Sequence, residues 1–199
     1  MKKTNRDIRI TNTDFEVRSD EENKTTIVGY ALKFDSPSED LGFTEYIDRS
    51  ALDEANMDNV VGLLNHDPNL VLARSGRNMD LTVDEVGLRF EIKPTETSYT
   101  KDLLENMRNG LIDKCSFAFR LDYTDEDAET WSEEADGRYV RTIHKIERLF
   151  DVSVVTTPAY EDTVALLSTR SKSALEDVKQ DINTLRSREI ELLDMELDL

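Results

Sequence analysis

The sequence predicts an α+β domain, built mainly from short β-strands and followed by a helical segment. Runs rich in β-branched and aromatic residues, several of them alternating in polarity, recur between residues 26 and 156. One interval, 98–109, instead has apolar residues at helical spacing, and from residue 171 the apolar positions follow steps of three and four. These changes of period predict three parts: a polar lead-in at 1–25, a folded domain at 26–170 and an amphipathic helical tail at 171–199.

The strands are predicted from composition and alternation, in chain order. The lead-in has one alternating piece around Ile8, Ile10 and Phe15, and the domain begins with the β-rich run 26–34. Residues 79–84 and 87–92 alternate cleanly across a two-residue gap, which predicts a hairpin. The other predicted strands are 46–47, 60–64, 70–73, 115–119, 139–143 and 149–156.

Two helical segments within the domain have recognisable ends. Asp48 or Ser50 is a candidate N-cap for a short helix at 50–55, and Gly110 is a candidate C-cap for the helix at 98–109. In the tail, Glu189 and Glu196 stand where the repeat expects apolar residues. The tail is therefore predicted as a helix with an imperfect apolar seam, too short to claim an independent coiled coil.

Composition excludes several classes of function. With 43 acidic against 25 basic residues, the net charge is −18, so the chain should repel nucleic acid and anionic membrane surfaces. A single cysteine, Cys115, precludes an internal disulfide and suggests a reducing compartment. The basic start lacks the apolar run of a signal peptide, and no stretch approaches membrane-spanning length.

The scarcity of histidine narrows the search for a catalytic base. The chain has two histidines, and His66 precedes a strand-like run in which Ser116 stands between bulky residues. A serine nucleophile needs a neighbouring base to take its proton. His66 and Ser116 are therefore the candidate pair, with His144 as the rival base in a charged stretch that favours a solvated or pairing role.

Asp151 is the candidate third member, because a carboxylate orients and stabilises an imidazole. It lies in an apolar strand, where an ionisable group is costly unless paired. Alternation predicts Phe150, Val152 and Val154 on one face of that strand and Asp151 on the other. The same rule turns Cys115 away from Ser116 and leaves small residues beside the hydroxyl, where a substrate would enter.

Other interpretations of these residues stay open at this point. Ser116 is also explained as a packing residue, His66 as part of an Asp-Pro turn, and Asp151 as a partner of Arg148 or Arg89. Cys115 is a rival nucleophile. A metal set of His66, Asp67 and His144 lacks a compact ligand spacing, and the acidic segment 124–136 is typical of a solvated hairpin loop.

An ordered series of motifs between about residues 26 and 170 resembles the prohead maturation proteases of tailed bacteriophages. The resemblance rests on segments that occur in the order of that family. They are Gly29-Tyr30-Ala31, Phe34-Asp35-Ser36-Pro37, Leu64-Asn65-His66-Asp67-Pro68-Asn69-Leu70-Val71-Leu72, Gly87-Leu88-Arg89-Phe90, Thr97-Ser98-Tyr99, Ser116-Phe117-Ala118-Phe119 and Asp151-Val152-Ser153-Val154-Val155-Thr156-Thr157-Pro158-Ala159-Tyr160.

The resemblance implies a β-barrel core flanked by helices, similar to the herpesvirus capsid assembly protease. It implies a serine endopeptidase that needs no cofactor or metal, with nucleophile Ser116, base His66 and acid Asp151. Its substrates would be the scaffold, the scaffolding segment of the major capsid protein and the protease itself. It would act inside the immature capsid in the host bacterial cytoplasm. The turn containing Ala159 and Tyr160 is the candidate source of an oxyanion N–H.

Two positions depart from the expected family pattern. Cys115 stands before the nucleophile, where a small or methionine-like residue is expected, and the acid is aspartate where glutamate is common. The alternative function is a non-enzymatic assembly protein that binds coat protein or scaffold through its helical tail. A complete triad favours the enzyme over this alternative. Cleavage specificity and oligomeric state, homodimer or higher, stay open.

Overall fold

A computed structural model describes residues 6–13, 15–19, 21, 24–39, 41–156 and 176–188. Within these ranges the chain forms twelve strands and one long helix in the strand-rich part. The helix α1 is Ser98–Arg108. The strands are β1 Asp7–Asn12, β2 Glu16–Ser19, β3 Thr25–Lys33, β4 Thr44–Ile47, β5 Val61–Leu64, β6 Asp67–Arg74, β7 Met79–Val83, β8 Gly87–Ile92, β9 Lys114–Arg120, β10 Glu129–Glu133, β11 Tyr139–Ile143 and β12 Arg148–Val155.

The described strands form three sheets. A five-stranded sheet has the order β1-β9-β12-β5-β6, a four-stranded sheet β2-β3-β8-β7 and a three-stranded sheet β10-β11-β4. Pairing is mostly antiparallel, with parallel pairs at β12–β5 and β11–β4. The mixed, strand-rich α+β class is confirmed. In the described part of the chain these sheets do not close into a barrel, so the barrel itself is not confirmed.

Several locally encoded elements agree with the sequence. β7 and β8 pair as the predicted antiparallel hairpin. Helix α1 ends at Arg108, and its C-cap is Asn109 rather than the predicted Gly110, which follows at φ +67°, the left-handed conformation that closes helices. The predicted helix at 50–55 is instead a 3₁₀ turn, Arg49–Leu52, capped by the Asp48 side chain.

Strand β1 lies in the segment 1–25 that is predicted as a polar lead-in. It pairs with β9 along its whole length and forms one edge of the five-stranded sheet. Asp7 and Arg9 on this strand are buried, and Arg9 donates two hydrogen bonds to the buried Glu45 carboxylate at 2.6 and 2.8 Å. Because its buried side chains are ions, β1 has the polar composition of an exposed segment.

The acidic segment 124–136 also differs from its prediction as a loop. Much of it forms a 3₁₀ turn, Glu126–Ala128, and strand β10, which pairs with β11. Trp131 of β10 packs against Phe43 with ring centroids 4.9 Å apart. Glu129 accepts a hydrogen bond from Arg141, a side chain with no exposed surface. Glu129 of this acidic segment therefore forms an ion pair within the sheet instead of being fully solvated.

In the tail, a helix spans residues 176–188, within the predicted helical segment. Val178 and Ile182 are half-buried, and Leu185 is exposed. The remaining tail residues lie outside the described ranges, and the three-part division of the chain stays a prediction. Among the helices of the described residues, none has the length and apolar character that crossing a bilayer requires.

Candidate active site

Ser116 lies on β9, the second strand of the five-stranded sheet. It is paired with Ile10 of β1 on one side and with Ser153 of β12 on the other. Directly opposite residues of antiparallel strands point their side chains to the same face. Ile10, Ser116 and Ser153 therefore share a face, whereas Cys115 and Phe117 point into the core. Ser116 itself has no exposed surface.

His66 is carried by a tight turn between β5 and β6. Leu64 pairs with Asp67, so the loop contains just Asn65 and His66. Both residues have positive φ, 54° and 56°. This is the type I′ pattern that joins antiparallel strands in two residues, and it favours Asn at the first position. The turn thus places an imidazole at the end of the sheet, on a backbone that a β-branched residue would strain.

Asn65 ties this turn to the end of β12. Its side-chain oxygen accepts hydrogen bonds from the Thr156 backbone N–H at 2.9 Å and from the Thr156 hydroxyl at 3.3 Å. Its own N–H donates to the Val154 carbonyl at 2.9 Å. The strand that carries Asp151 and the turn that carries His66 are therefore fixed to each other by Asn65.

A β-bulge in β12 decides which way Asp151 points. The pairing of β12 with β9 shifts between Leu149 and Asp151, so Phe150 is the extra residue. Leu149, rather than Phe150, is fully buried, and the Phe150 ring lies beneath the guanidinium groups of Arg6, Arg120 and Arg148. The predicted apolar face was wrong at Phe150 because strict alternation fails at a bulge.

His66 connects the other two candidate residues. Its Nδ1 lies 2.6 Å from Asp151 Oδ1, and its Nε2 lies 2.6 Å from Ser116 Oγ. The side-chain exposures are 22% for His66 and 9% for Asp151. The three residues come from separate elements, and the structure brings them into one hydrogen-bonded chain. This serine–imidazole–carboxylate order is the one in which an imidazole transfers a serine proton.

Ser153 is a further member of this cluster, and it is not among the site residues predicted from the sequence. Its hydroxyl donates to Asp151 Oδ1 at 2.9 Å and lies 3.1 Å from His66 Nδ1. It has no exposed surface. The position two residues after Asp151 in a strand was the available signal, because residues i and i+2 share a face. Ser153 therefore gives the Asp151 carboxylate a buried hydroxyl donor.

The residues of the other interpretations make contacts that do not support those roles. Cys115 is fully buried, and burial raises the pKa of its thiol far above the ordinary value, which disfavours the reactive thiolate. His144 hydrogen bonds to Thr130 at 2.9 Å and lies 3.6 Å from Asp48, the pairing role that its charged surroundings predict. Arg89 pairs with Glu91, and Arg148 lies over Phe150. Asp151 bonds to His66 and Ser153 instead.

The candidate oxyanion donors and the alternative of a metal site are the remaining parts of the sequence prediction. Ala159 and Tyr160, the candidate oxyanion donors, lie outside the described residues. Over the ranges that the structure describes, histidine, cysteine, aspartate and glutamate side chains form no cluster of three that would hold a metal ion.

A serine hydrogen-bonded to a histidine that also bonds to an aspartate is the arrangement typical of serine hydrolases. The chain belongs to the caudovirus prohead serine protease family, whose model matches residues 13–180. It is thus a member of a serine protease family of tailed phages. Among solved structures, the bacteriophage T4 capsid assembly protease is similar at 13% identity and a TM-score of 0.47, covering 74% of this chain and 96% of that one. No curated protein matches.

Proposed function

We propose that this protein is a serine endopeptidase with the triad Ser116, His66 and Asp151. The observation that carries the proposal is the imidazole of His66 bridging the other two side chains at 2.6 Å each. Membership of a prohead serine protease family supplies the class of chemistry. The geometry supports the choice of these three residues.

In the proposed mechanism, His66 Nε2 takes the Ser116 proton as Oγ attacks the carbonyl carbon of a peptide bond. Asp151 accepts the Nδ1–H hydrogen bond, which keeps the base on Nε2 and stabilises the imidazolium that forms. His66 then gives the proton to the leaving amine. Water, deprotonated by the same nitrogen, hydrolyses the Ser116 ester. A backbone N–H of Ala159 or Tyr160 is proposed as an oxyanion donor.

The proposed substrates are scaffold protein, the scaffolding segment of the major capsid protein and the protease itself. The proposed place of action is the immature capsid in the host cytoplasm, and a herpesvirus-protease-like core is part of the same proposal. Family membership supports the proposed substrates and place of action, because the family is described as the serine protease of the caudovirus prohead.

The decisive experiment incubates the wild-type protein and Ser116→Ala with the cognate coat protein and measures the intact mass of every fragment. Loss of the nucleophile removes on the order of a million-fold in turnover while deleting one oxygen atom. Wild type should release discrete fragments and Ser116→Ala none, although circular dichroism should show the variant folded. A folded Ser116→Ala protein that cuts coat protein as fast as wild type would refute the assignment.

A non-enzymatic assembly protein is the second candidate. The observation in its favour is the complete burial of Ser116, since a nucleophile without exposed surface meets no substrate as the chain stands. It predicts that wild type and Ser116→Ala bind coat protein equally and that neither cuts it. The same mass measurement therefore separates the two functions.

A further inference from the structure

Three arginines surround the ring of Phe150. The guanidinium carbons of Arg6, Arg148 and Arg120 lie 3.9, 5.4 and 5.9 Å from the centroid of that ring. The face of an aromatic ring attracts cations, which accounts for part of this arrangement. The chain as a whole has a net charge of −18, however, so three cations in one place form a positive island in a strongly negative protein.

Two of the three arginines have no acidic partner among the residues that the structure describes. Arg120 donates two hydrogen bonds to the Glu147 carboxylate. Arg6 and Arg148 contact the ring of Phe150 but form no ion pair with a described carboxylate. The Nε atom of Arg148 is buried and has no hydrogen-bond partner there. Because like charges repel, guanidinium groups held together in this way favour the binding of an anion.

The cluster lies on the same face of the five-stranded sheet as the candidate triad. Arg120 follows Ser116 by four positions on β9, and side chains at even spacing along a strand share a face. Arg148 of β12 is the direct partner of Arg120, so it shares that face as well. Four residues of strand span about 13 Å. An extended polypeptide that runs along β9 from Ser116 therefore reaches the arginines about four residues from its scissile bond.

The bulge in β12 builds the cluster and the triad together. Phe150 is the extra residue of this bulge, and its contacts with Arg120 and Arg148 place its ring on their face of the sheet. The next residue, Asp151, lies on this face too and bonds to His66. One irregularity in the strand therefore fixes the aromatic ring beside the arginines and the acid beside the imidazole.

We propose that Arg148, with Arg6 and Phe150 beside it, is a specificity site of the proposed endopeptidase. It binds the carboxylate of an aspartate or glutamate that the substrate carries about four residues from its scissile bond. A guanidinium binds a carboxylate through charge-assisted hydrogen bonds, and Arg148 is half-buried, so water and salt screen this attraction less than at an exposed site. This inference rests on the proposed function, because it needs the cut to occur at Ser116.

Synthetic peptides that span a scissile bond of the coat protein test the site, once mass measurement of the fragments has located the bond. Each acid about three to five residues from the bond is replaced in turn by its amide. One such replacement should lower kcat/KM of wild type by about tenfold or more, mainly through a higher KM. Arg148→Gln should cut the parent peptide and this amide peptide at equal rates, because the partner of the carboxylate is gone.

Two controls separate substrate binding from damage to the triad. A small fluorophosphonate has no carboxylate to place on Arg148, so it should label Ser116 in Arg148→Gln at the wild-type rate. Arg138→Gln removes an arginine between β10 and β11 that is 67% exposed, and it should leave the preference for the acidic peptide unchanged. Arg148→Lys keeps the charge and should recover part of the lost cleavage. Circular dichroism confirms that the variants are folded.

The possible results separate this inference from the proposed function. Equal cleavage of all peptides by wild type would overturn the inference alone, and this comparison needs no variant. A preference for the acid that survives in Arg148→Gln would place the carboxylate elsewhere and overturn it too. So would labelling of Arg148→Gln that slows as much as its peptide cleavage, since Arg148 would then act on the triad. If wild type neither labels at Ser116 nor cuts coat protein, the proposed function fails and takes this inference with it.

Discussion

The position of Asn65 has two separate requirements, a left-handed backbone conformation and a side-chain hydrogen bond to Thr156. Its φ of 54° favours glycine or asparagine, and its amide oxygen fixes the turn to Thr156. The turn in turn sets the imidazole of His66 against Ser116. A substitution at Asn65 should therefore affect activity without removing any atom of the triad.

We expect Asn65→Ala to lower the free energy of unfolding by about 1–3 kcal/mol, from left-handed strain and the lost hydrogen bond together. Asn65→Gly is the matched control, because it loses the same bond but adopts positive φ freely. Chemical denaturation should show the highest stability for wild type, a lower stability for Asn65→Gly and the lowest for Asn65→Ala. Equal stability of the two variants would show that backbone conformation has no part in this turn.

Ser153 should act on Asp151 rather than on the substrate. Ser153→Ala removes the 2.9 Å hydrogen bond to Oδ1, and bonds to charged groups contribute about 1.5–3 kcal/mol. We expect kcat to fall by about tenfold to a hundredfold while KM is unchanged. Ser153→Thr keeps a hydroxyl and should recover part of the loss. A raised KM with normal kcat would instead place Ser153 in substrate binding.

At the scale of elements, one buried ion network joins β1, β4, β10 and β11. Burial alone would raise the pKa of Glu45, but the Arg9 and Arg141 guanidinium groups outweigh it and hold that pKa below its ordinary value of 4.5. The folded chain therefore binds this proton more weakly than the unfolded chain does. The stabilisation from Glu45 is present above pH 4.5 and is lost as pH falls through the lower, folded pKa.

Glu45→Gln should cost about 3–5 kcal/mol in the free energy of unfolding at pH 7, because two buried guanidinium groups lose their shared carboxylate. The difference from wild type should shrink as pH falls below 4.5. Glu147→Gln is the comparison: its pair with Arg120 is 40% exposed on both sides and should contribute about 0–1 kcal/mol. Urea denaturation at pH 7 and pH 4 measures both. If the difference in unfolding free energy between wild type and Glu45→Gln stayed constant with pH, Glu45 would not contribute to the loss of stability in acid.

At the scale of the whole molecule, the helical tail is the proposed site of self-cleavage. In the helix at 176–188, Leu185 is 62% exposed, so part of its apolar seam lacks cover. Short helices without packing are marginal in water, and locally opened segments are where proteolysis concentrates.

We therefore expect wild type to shorten itself within or just before residues 171–199 during prolonged incubation, whereas Ser116→Ala stays full length. Intact mass measurement of both proteins decides the outcome. A wild-type tail that remains whole in a sample shown to cut coat protein would reject self-trimming and leave the triad in place.

The sequence by itself determined the features that depend on residue type and short-range pattern. The scarcity of histidine made His66 the candidate base, the lone serine in an aromatic strand made Ser116 the candidate nucleophile, and an acid in an apolar strand made Asp151 the candidate third member. Helix α1 and the β7–β8 hairpin were predictable for the same reason. Their periods and caps are encoded by neighbours along the chain.

Tertiary structure alone decided what depends on long-range register and on paired burial. The β12 bulge at Phe150 and the hydrogen bond from Ser116 to the Arg9 carbonyl of β1 each need a partner strand far away in sequence. Asp7 and Arg9 look like surface residues until Tyr123 and Glu45 supply their partners. An ion is buried when another element neutralises it, and no local pattern records which element that is.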